Sequence, residues 1–295
     1  MADYDVIIAG GGLAGTIAAQ SISYYSNQGL KILVIDRNPS NLPGMKSVAG
    51  WICGDAVSKE AVDFMSNRIK VNWSEPEIEH KVKGVMAFSP DRETSIPFDG
   101  EGYMLNRQVL PHRQNERTLA MGVDFDFEIN ITGLMYDGNQ VVGVQGIDYK
   151  TKTPYKKTAK VVIDATGMTS MLRNQISNTT KMERKIDRKD IESTGRHIMY
   201  FDQGEVDLTE FDPDYCIIHL DQDIAPGGYG WVFPKGKNKV NIGLGVEKTL
   251  LEKRNQRLGK NDNVSMLINQ YLERNHAIKN PKLSEDPQDK NNATG

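Results

Sequence analysis

Asp5-Val6-Ile7-Ile8-Ala9 is a short unbroken apolar run that leads straight into Gly10-Gly11-Gly12-Leu13-Ala14-Gly15. Continuous apolarity over so few residues is the pattern of a strand buried on both faces, as in a parallel sheet. The small residues from Thr16 to Ser23 predict a helix, and Lys31 to Ile35 predicts a second buried strand ending at Asp36. Together these make a βαβ unit with its glycines at the turn. A long excursion over residues 40–105 follows, with a helical stretch at Lys59 to Arg68. Gln108 to Met121 then reads as a helix that stops at Gly122.

Three strand-like runs come next: Phe125 to Tyr136, Val141 to Tyr149 and Thr153 to Thr158. Asp137-Gly138 between the first two is a hairpin signal. Pro154 lacks an N–H, which restricts the third run to an edge. Val161 to Asp164 is again a buried strand, entering the turn Ala165-Thr166-Gly167. Residues 181–192 are densely charged and read as a solvated helix or loop. Residues 196–246 read as antiparallel strands, and Leu250 to Leu258 and Val264 to His276 as helices. Pro281 to Gly295 is polar without periodicity and reads as a linker. The expected architecture is α/β: a Rossmann-like nucleotide domain over 1–175, containing the excursion and a three-stranded meander, then an α+β domain over 176–280 built on an antiparallel sheet.

Composition narrows the function. With 295 residues the chain can bury a large core without disulfides or metals. A net charge of −3 gives no electrostatic footprint for nucleic acid. Cys53 and Cys216 are the only cysteines, which fits a reducing compartment and gives no disulfide framework. The five histidines have no metal-ligand spacing. No basic leader precedes the first strand and no apolar run approaches the roughly 18 residues of a membrane helix, so the expectation is a cytoplasmic protein, with peripheral membrane contact left open.

The glycine turn has the full context of a dinucleotide fingerprint. Gly10 permits the tight turn, Gly12 lets the backbone approach a pyrophosphate, and Gly15 lets helix and strand pack closely. The helix N-terminus offers N–H groups to phosphate, and Asp36 can accept from ribose hydroxyls. A plain NAD domain would continue with regular βαβ units. The excursion and meander before Val161 instead resemble the glutathione-reductase class of FAD proteins, with Ala165-Thr166-Gly167 as its second FAD-contacting turn. Ser170 and Arg173 lie beyond it as in flavoprotein hydroxylases, although Thr166 stands where those usually have Asp.

Cys53-Gly54-Asp55-Ala56, Ala225-Pro226-Gly227-Gly228-Tyr229-Gly230-Trp231-Val232-Phe233-Pro234-Lys235-Gly236 and Asn241-Ile242-Gly243-Leu244-Gly245 resemble the archaeal geranylgeranyl reductases over nearly the whole chain. That resemblance implies FAD as cofactor, a geranylgeranyl lipid as substrate, an unidentified electron donor, and saturation of C=C bonds by hydride transfer from reduced flavin. It assigns cofactor contacts to Ala14, Gly15, Asp36, Cys53, Gly54, Ala56, Arg107 and Ile131, which join Gly10 and Gly12 of the fingerprint and Gly167 of the second FAD-contacting turn. It also puts Cys53 near the flavin, shaping the reaction pocket. The family continues into a further strand and a Gly-Asp turn that this chain lacks, so the sequence reads as C-terminally truncated. The alternatives are an FAD-dependent monooxygenase and an inactive fragment.

From the residues alone, Tyr229, Trp231 and Phe233 alternate and so share one face of a strand. Gly243 and Gly245 leave one face of the next strand bare. The pair is either a flat apolar slot for a prenyl chain or an ordinary aromatic sheet core. Alkene reduction also needs a proton; Tyr215, Cys53 and an ordered water are the candidate donors.

Overall fold

The computed structural model describes residues 2–41, 53–168, 172–176, 186–202, 204, 206–236, 238–275, 277–284 and 293–294. The chain divides into two compact units, one of Met1–Met45 with Gln108–Ile186, the other of Lys46–Arg107 with Asp187–Gly295.

The first unit begins with β1 (Tyr4–Ala9), α1 (Leu13–Tyr25) and β2 (Ile32–Ile35). Its chain resumes after the excursion, whose elements are β3 (Ala56–Ser58), α2 (Lys59–Ile69), β4 (Ile78–Phe88) and β5 (Ser95–Leu105). Then come α3 (Leu110–Ala120), β6 (Asp124–Asp126), β7 (Ile129–Asp137), β8 (Gln140–Asp148) and β9 (Pro154–Asp164). The six-stranded sheet runs β6-β2-β1-β9-β8-β7, parallel from β6 to β9 and antiparallel from β9 to β7. Alternation splits its core in two. Val6, Ile8, Ile32 and Val34 pack with Ala19 and Ile22 of α1. Ile7, Ala9, Leu33 and Ile35 pack with Ile131, Leu134 and Val144. Gln20 of α1 donates to Thr118 of α3 at 2.8 Å and accepts from Gln114 at 2.9 Å, so the two helices are joined through satisfied buried amides.

Two expectations change here. The run Phe125 to Tyr136 is broken at Glu128, whose φ of 61° ends β6 before β7 begins. Thr153–Thr158 and Val161–Asp164 are one strand, β9, which pairs with β8 through its first half and β1 through its second. Pro154 is its first residue, where the missing N–H breaks no ladder.

The second unit adds β10 (Glu192–Tyr200), β11 (Tyr215–His219), β12 (Gly230–Pro234), β13 (Lys239–Glu247), α4 (Lys248–Leu258), α5 (Val264–Arg274) and the short strands β14 (Lys282–Leu283) and β15 (Ala293–Thr294). Its nine-stranded sheet runs β14-β10-β13-β12-β11-β4-β5-β3, with β15 beside β10. The excursion, expected inside the nucleotide domain, thus supplies β3, β4 and β5 to this sheet. The sheet is mixed, because β11 and β4 are parallel, where an antiparallel sheet was expected. Lys282–Leu283, read as linker, pairs with β10.

One face of this sheet is a large core in which Ile217, Val232, Ile242 and Leu244 meet Leu267, Ile268 and Tyr271 of α5. The other face carries Val82, Met104, Cys216, Trp231 and Phe233. Among the described residues no helix is long and apolar enough to cross a membrane.

Candidate functional site

In the first unit the glycine turn is built by backbone contact. Gly10 has φ +109°, and a Cβ there would lie 2.2 Å from the Ala165 carbonyl oxygen. A Cβ on Gly15 would lie 1.9 Å from the Gly10 oxygen, so only glycine lets α1 start this close to β1. Gly12 is the N-cap of α1 and offers no side-chain cap, which leaves first-turn N–H groups available to an anion. Asp36, 5% exposed, accepts from the Gly11 N–H at 2.6 Å and the Asn38 N–H at 2.8 Å. Its carboxylate therefore ties the end of β2 to the glycine turn before any ligand binds. Ala14 is exposed in the first turn of α1. Gly167 has φ +85° and open space where a Cβ would stand. A glycine turn closed by backbone contact, an uncapped helix start and a buried acid at the second strand end fit a dinucleotide. Ile131 is a core residue of β7, its side chain buried beside Ile7 and Leu33. Arg173 lies in a short 3-10 turn; Ser170 lies outside the described residues.

In the second unit a cavity of about 150 Å³ is lined by Cys53, Gly54, Glu192, Thr194, Gly228, Tyr229, Trp231, Phe233 and Gly245. The register pairs Trp231 with Gly243 and Phe233 with Asn241, so these residues share the cavity face while Val232 and Ile242 face the core. The three aromatic rings run in series, centroids 6.2 and 5.9 Å apart. Tyr229 is 43% exposed and Trp231 5%, so the row passes from surface to interior. Burial, and then the Glu192 carboxylate, raise the Tyr229 phenol above its ordinary range and keep its O–H protonated.

The slot is not open along its whole length. A Cβ on Gly243 would lie 2.3 Å from the Trp231 ring and 2.5 Å from the Gly195 oxygen, so the indole fills the bare face expected there. Gly245 is the glycine that faces space: its Cβ would meet Thr194 Cγ2 at 3.5 Å. A Cβ on Gly54 would lie 2.8 Å from the Phe233 ring, so the Cys53-Gly54 turn lies directly on the aromatic row. Tyr215 is placed elsewhere, donating to Asp99 at 3.0 Å, and does not line the cavity. Cys216 is buried, and burial pushes its thiol up to about 12.

Behind the turn lies a network that motif reading missed. Asp55 is 2% exposed, and its Oδ2 accepts from Lys235 Nζ at 2.9 Å and Asn241 Nδ2 at 3.0 Å. Lys235 also donates to the Leu105 carbonyl at 2.7 Å and pairs with Glu79 at 2.8 Å; Lys239 meets Glu79 at 3.2 Å. Asn241 uses its whole amide: Nδ2 also donates to the Cys53 carbonyl at 2.8 Å, and Oδ1 accepts from the Trp231 indole at 3.0 Å. Arg107 has its Nε 3.9 Å from Asp55 Oδ1, which places this cofactor candidate beside the network. Ala56 opens β3 opposite Met104. A lysine closing one strand and an asparagine two residues into the next were the available signal. Glu79, the partner that Lys235 shares with Lys239, belongs to no motif.

Residues 190–282 match the geranylgeranyl reductase catalytic domain family. Over 83% of its length the chain is 36% identical to the digeranylgeranylglycerophospholipid reductase of Sulfolobus acidocaldarius, covering 50% of that protein. It is 27% identical to that of Methanosarcina acetivorans over 82% of its length, covering 54% of that protein. The chain thus spans about half the length of these curated relatives. A geranylgeranyl bacteriochlorophyll reductase-like protein from Thermoplasma acidophilum superposes with a TM-score of 0.75 at 25% identity, covering 96% of this chain and 64% of that one. A myxobacterial chondrochloren halogenase, of the FAD-dependent halogenases, shares the fold with a TM-score of 0.70 at 14% identity, over 97% of this chain and 62% of that one.

Proposed function

We propose that this chain, which belongs to the geranylgeranyl reductase family, supplies the nucleotide turn and the prenyl-chain cavity of a reductase that saturates the C=C bonds of geranylgeranyl lipids. The observation that carries this reading is the aromatic cavity at Tyr229, Trp231 and Phe233, which lies inside the segment matching the catalytic domain. A cavity near 150 Å³, its walls mostly apolar beside Glu192 and Thr194, has room for a group about the size of benzene. That suits one isoprene unit at a time rather than a whole chain.

FAD is the cofactor that the glycine turn fits, held at Gly10, Gly12, Ala14, Gly15, Asp36 and Gly167; when reduced it supplies hydride. Cys53, Gly54, Ala56, Arg107 and Ile131 are assigned to the same cofactor by resemblance. Trp231 and Phe233 exclude water and orient the alkene. Tyr229, whose phenol is kept protonated by burial, and the Cys53 thiol both stand on the wall, and either is placed to pass a proton to the second carbon. Cys53 also shapes the end of the cavity.

The test is a flavin titration of the chain followed by anaerobic incubation of the reduced, loaded protein with geranylgeranyl lipid. A mass gain of one H₂ per saturated bond is expected. Flavin bound, with lipid unchanged and oxygen consumed instead when air is admitted, would favour a monooxygenase. Absence of flavin binding would sink the cofactor assignment. Asp36→Ala should weaken flavin binding, since a hydrogen bond to a charged group contributes roughly 1.5–3 kcal/mol.

A further inference from the structure

Cys53 stands on the cavity wall, and a near neighbour in sequence fixes where its thiol points. The residue that does so by geometry is Asp55. Its backbone has φ +69°, a conformation non-glycine residues seldom adopt, and in it the Asp55 N–H donates to Cys53 Sγ at 3.3 Å. The carbonyl of Asp55 accepts from the Leu105 N–H at 2.8 Å, and its carboxylate is held by Lys235 and Asn241. Lys235 returns to Leu105 through its carbonyl. Asp55 is thus gripped at backbone and side chain from the same side, and Asn241 grips the Cys53 carbonyl directly.

A buried ion pair is poor evidence for stability, because desolvation consumes most of what the pairing returns. Its better-attested use is to fix one arrangement among several. The arrangement fixed here is the Cys53-Gly54 turn against the rings of Phe233 and Trp231. The same Asn241 amide that holds Cys53 also takes the Trp231 indole N–H, so two walls of the cavity share one side chain.

We propose that Asp55, Lys235 and Asn241 are positioning residues that set the Cys53 thiol and the Trp231 ring in one register. Their service to prenyl reduction rests on the function proposed above; the positioning itself does not. Removing Lys235 leaves a buried carboxylate with no cation on Oδ2, and the turn must open to hydrate it. Removing that charge as well should let the turn close again.

The test is the rate at which iodoacetamide alkylates Cys53 in the flavin-free chain, read by peptide mass spectrometry. The thiol loses its proton to buffer and the thiolate displaces iodide, so the rate, taken across a pH series to its high-pH plateau where the thiolate is fully formed, follows access to Sγ. Cys216, 2% exposed, serves as the internal control for global unfolding. Lys235→Met should raise the Cys53 rate about tenfold or more with Cys216 still inert. Adding Asp55→Asn to it should bring the rate back to within about threefold of the parent. Asn241→Leu should raise it as well, and in that background Trp231→Phe should add nothing further. A parental Cys53 rate in folded Lys235→Met, or failure of the paired Asp55→Asn to restore it, overturns the proposal. If Lys235→Met does not fold, the double variant and Asn241→Leu decide alone: unfolding of both, or parental rates in Asn241→Leu, counts against it. None of these outcomes depends on flavin or lipid, so they cannot be confused with failure of the reductase reading.

Discussion

Asp36 and Asp55 are both buried aspartates beside a glycine-containing turn, and they are held in different ways. Asp36 takes the backbone N–H groups of Gly11 and of Asn38, two residues on. Asp55 takes the side chains of Lys235 and Asn241, 180 and 186 residues further along the chain. One site is made by main chain within a βαβ unit. The other is made by side chains that only the closed nine-stranded sheet brings together. Main-chain sites tolerate changes in neighbouring side chains but not an added Cβ. Side-chain sites respond in the opposite way, and a second substitution can repair the first.

The largest expected effect is on the second site. Lys235→Met leaves the Asp55 carboxylate with the Asn241 amide and, 3.9 Å from its other oxygen, Arg107, but without its closest cation, and breaking a buried pair costs roughly 3–5 kcal/mol. Denaturant unfolding of the second unit should show that loss, and Asp55→Asn in the same chain should recover most of it. If the double variant is no more stable than Lys235→Met, the charge is not what binds the site together. At the first site the corresponding stress is Gly10→Ala. The Ala165 carbonyl 2.2 Å from the new Cβ is main chain and cannot rotate away, and φ +109° is strained for alanine. A cost of about 2–4 kcal/mol is expected from overlap and strain together. Flavin binding should be lost with it, and no single side-chain change should restore either. Gly54→Ala is the contrasting control, because its close neighbour is the Phe233 ring, which can tilt. Its cost should be smaller, about 1 kcal/mol. Equal costs for Gly10→Ala and Gly54→Ala in thermal melts would erase the distinction.

The same difference explains what could be read from the chain. β1, the Gly10 to Gly15 turn, α1 and Asp36 are one contiguous segment, and Asp36 reaches Gly11 across only 25 residues. Spacing alone therefore exposes them. Asp55, Lys235 and Asn241 sit within stretches that resemble the reductase family, but their roles are invisible until β3, β12 and β13 are placed together. Glu79, on β4 and outside every motif, could not be found at all. Outside the excursion most strands were legible, and strand partnership was not. β9 reads as two strands because Pro154 signals an edge, yet the proline only opens a strand whose later residues enter the parallel core. The excursion carries β4 and β5 without clear alternation, since β5 is exposed along most of its length and gives no periodic apolar signal.

Gly243 and Gly245 take the comparison to its smallest scale, two glycines one pleat apart on the same face of β13. Sequence pattern treats them alike; the structure does not. At Gly243 the added methyl of alanine would overlap the Trp231 indole at 2.3 Å and the Gly195 carbonyl at 2.5 Å. The indole must move, and its hydrogen bond to Asn241 moves with it, at a cost of about 1–3 kcal/mol. Gly243→Ala should therefore lower the melting temperature and speed Cys53 alkylation, because Asn241 also holds the Cys53 carbonyl. At Gly245 the methyl would touch Thr194 Cγ2 at 3.5 Å, an ordinary contact, and stand in the cavity. Gly245→Ala should change stability by no more than about 0.5 kcal/mol and leave Cys53 alkylation and flavin titration at parental values. What it should change is the passage of the prenyl chain, giving slower and less complete saturation of geranylgeranyl lipid. A large stability loss in Gly245→Ala would mean that this face is packed core like Gly243. Parental stability together with parental saturation would place the lipid on another surface, and the aromatic row would then be sheet core alone.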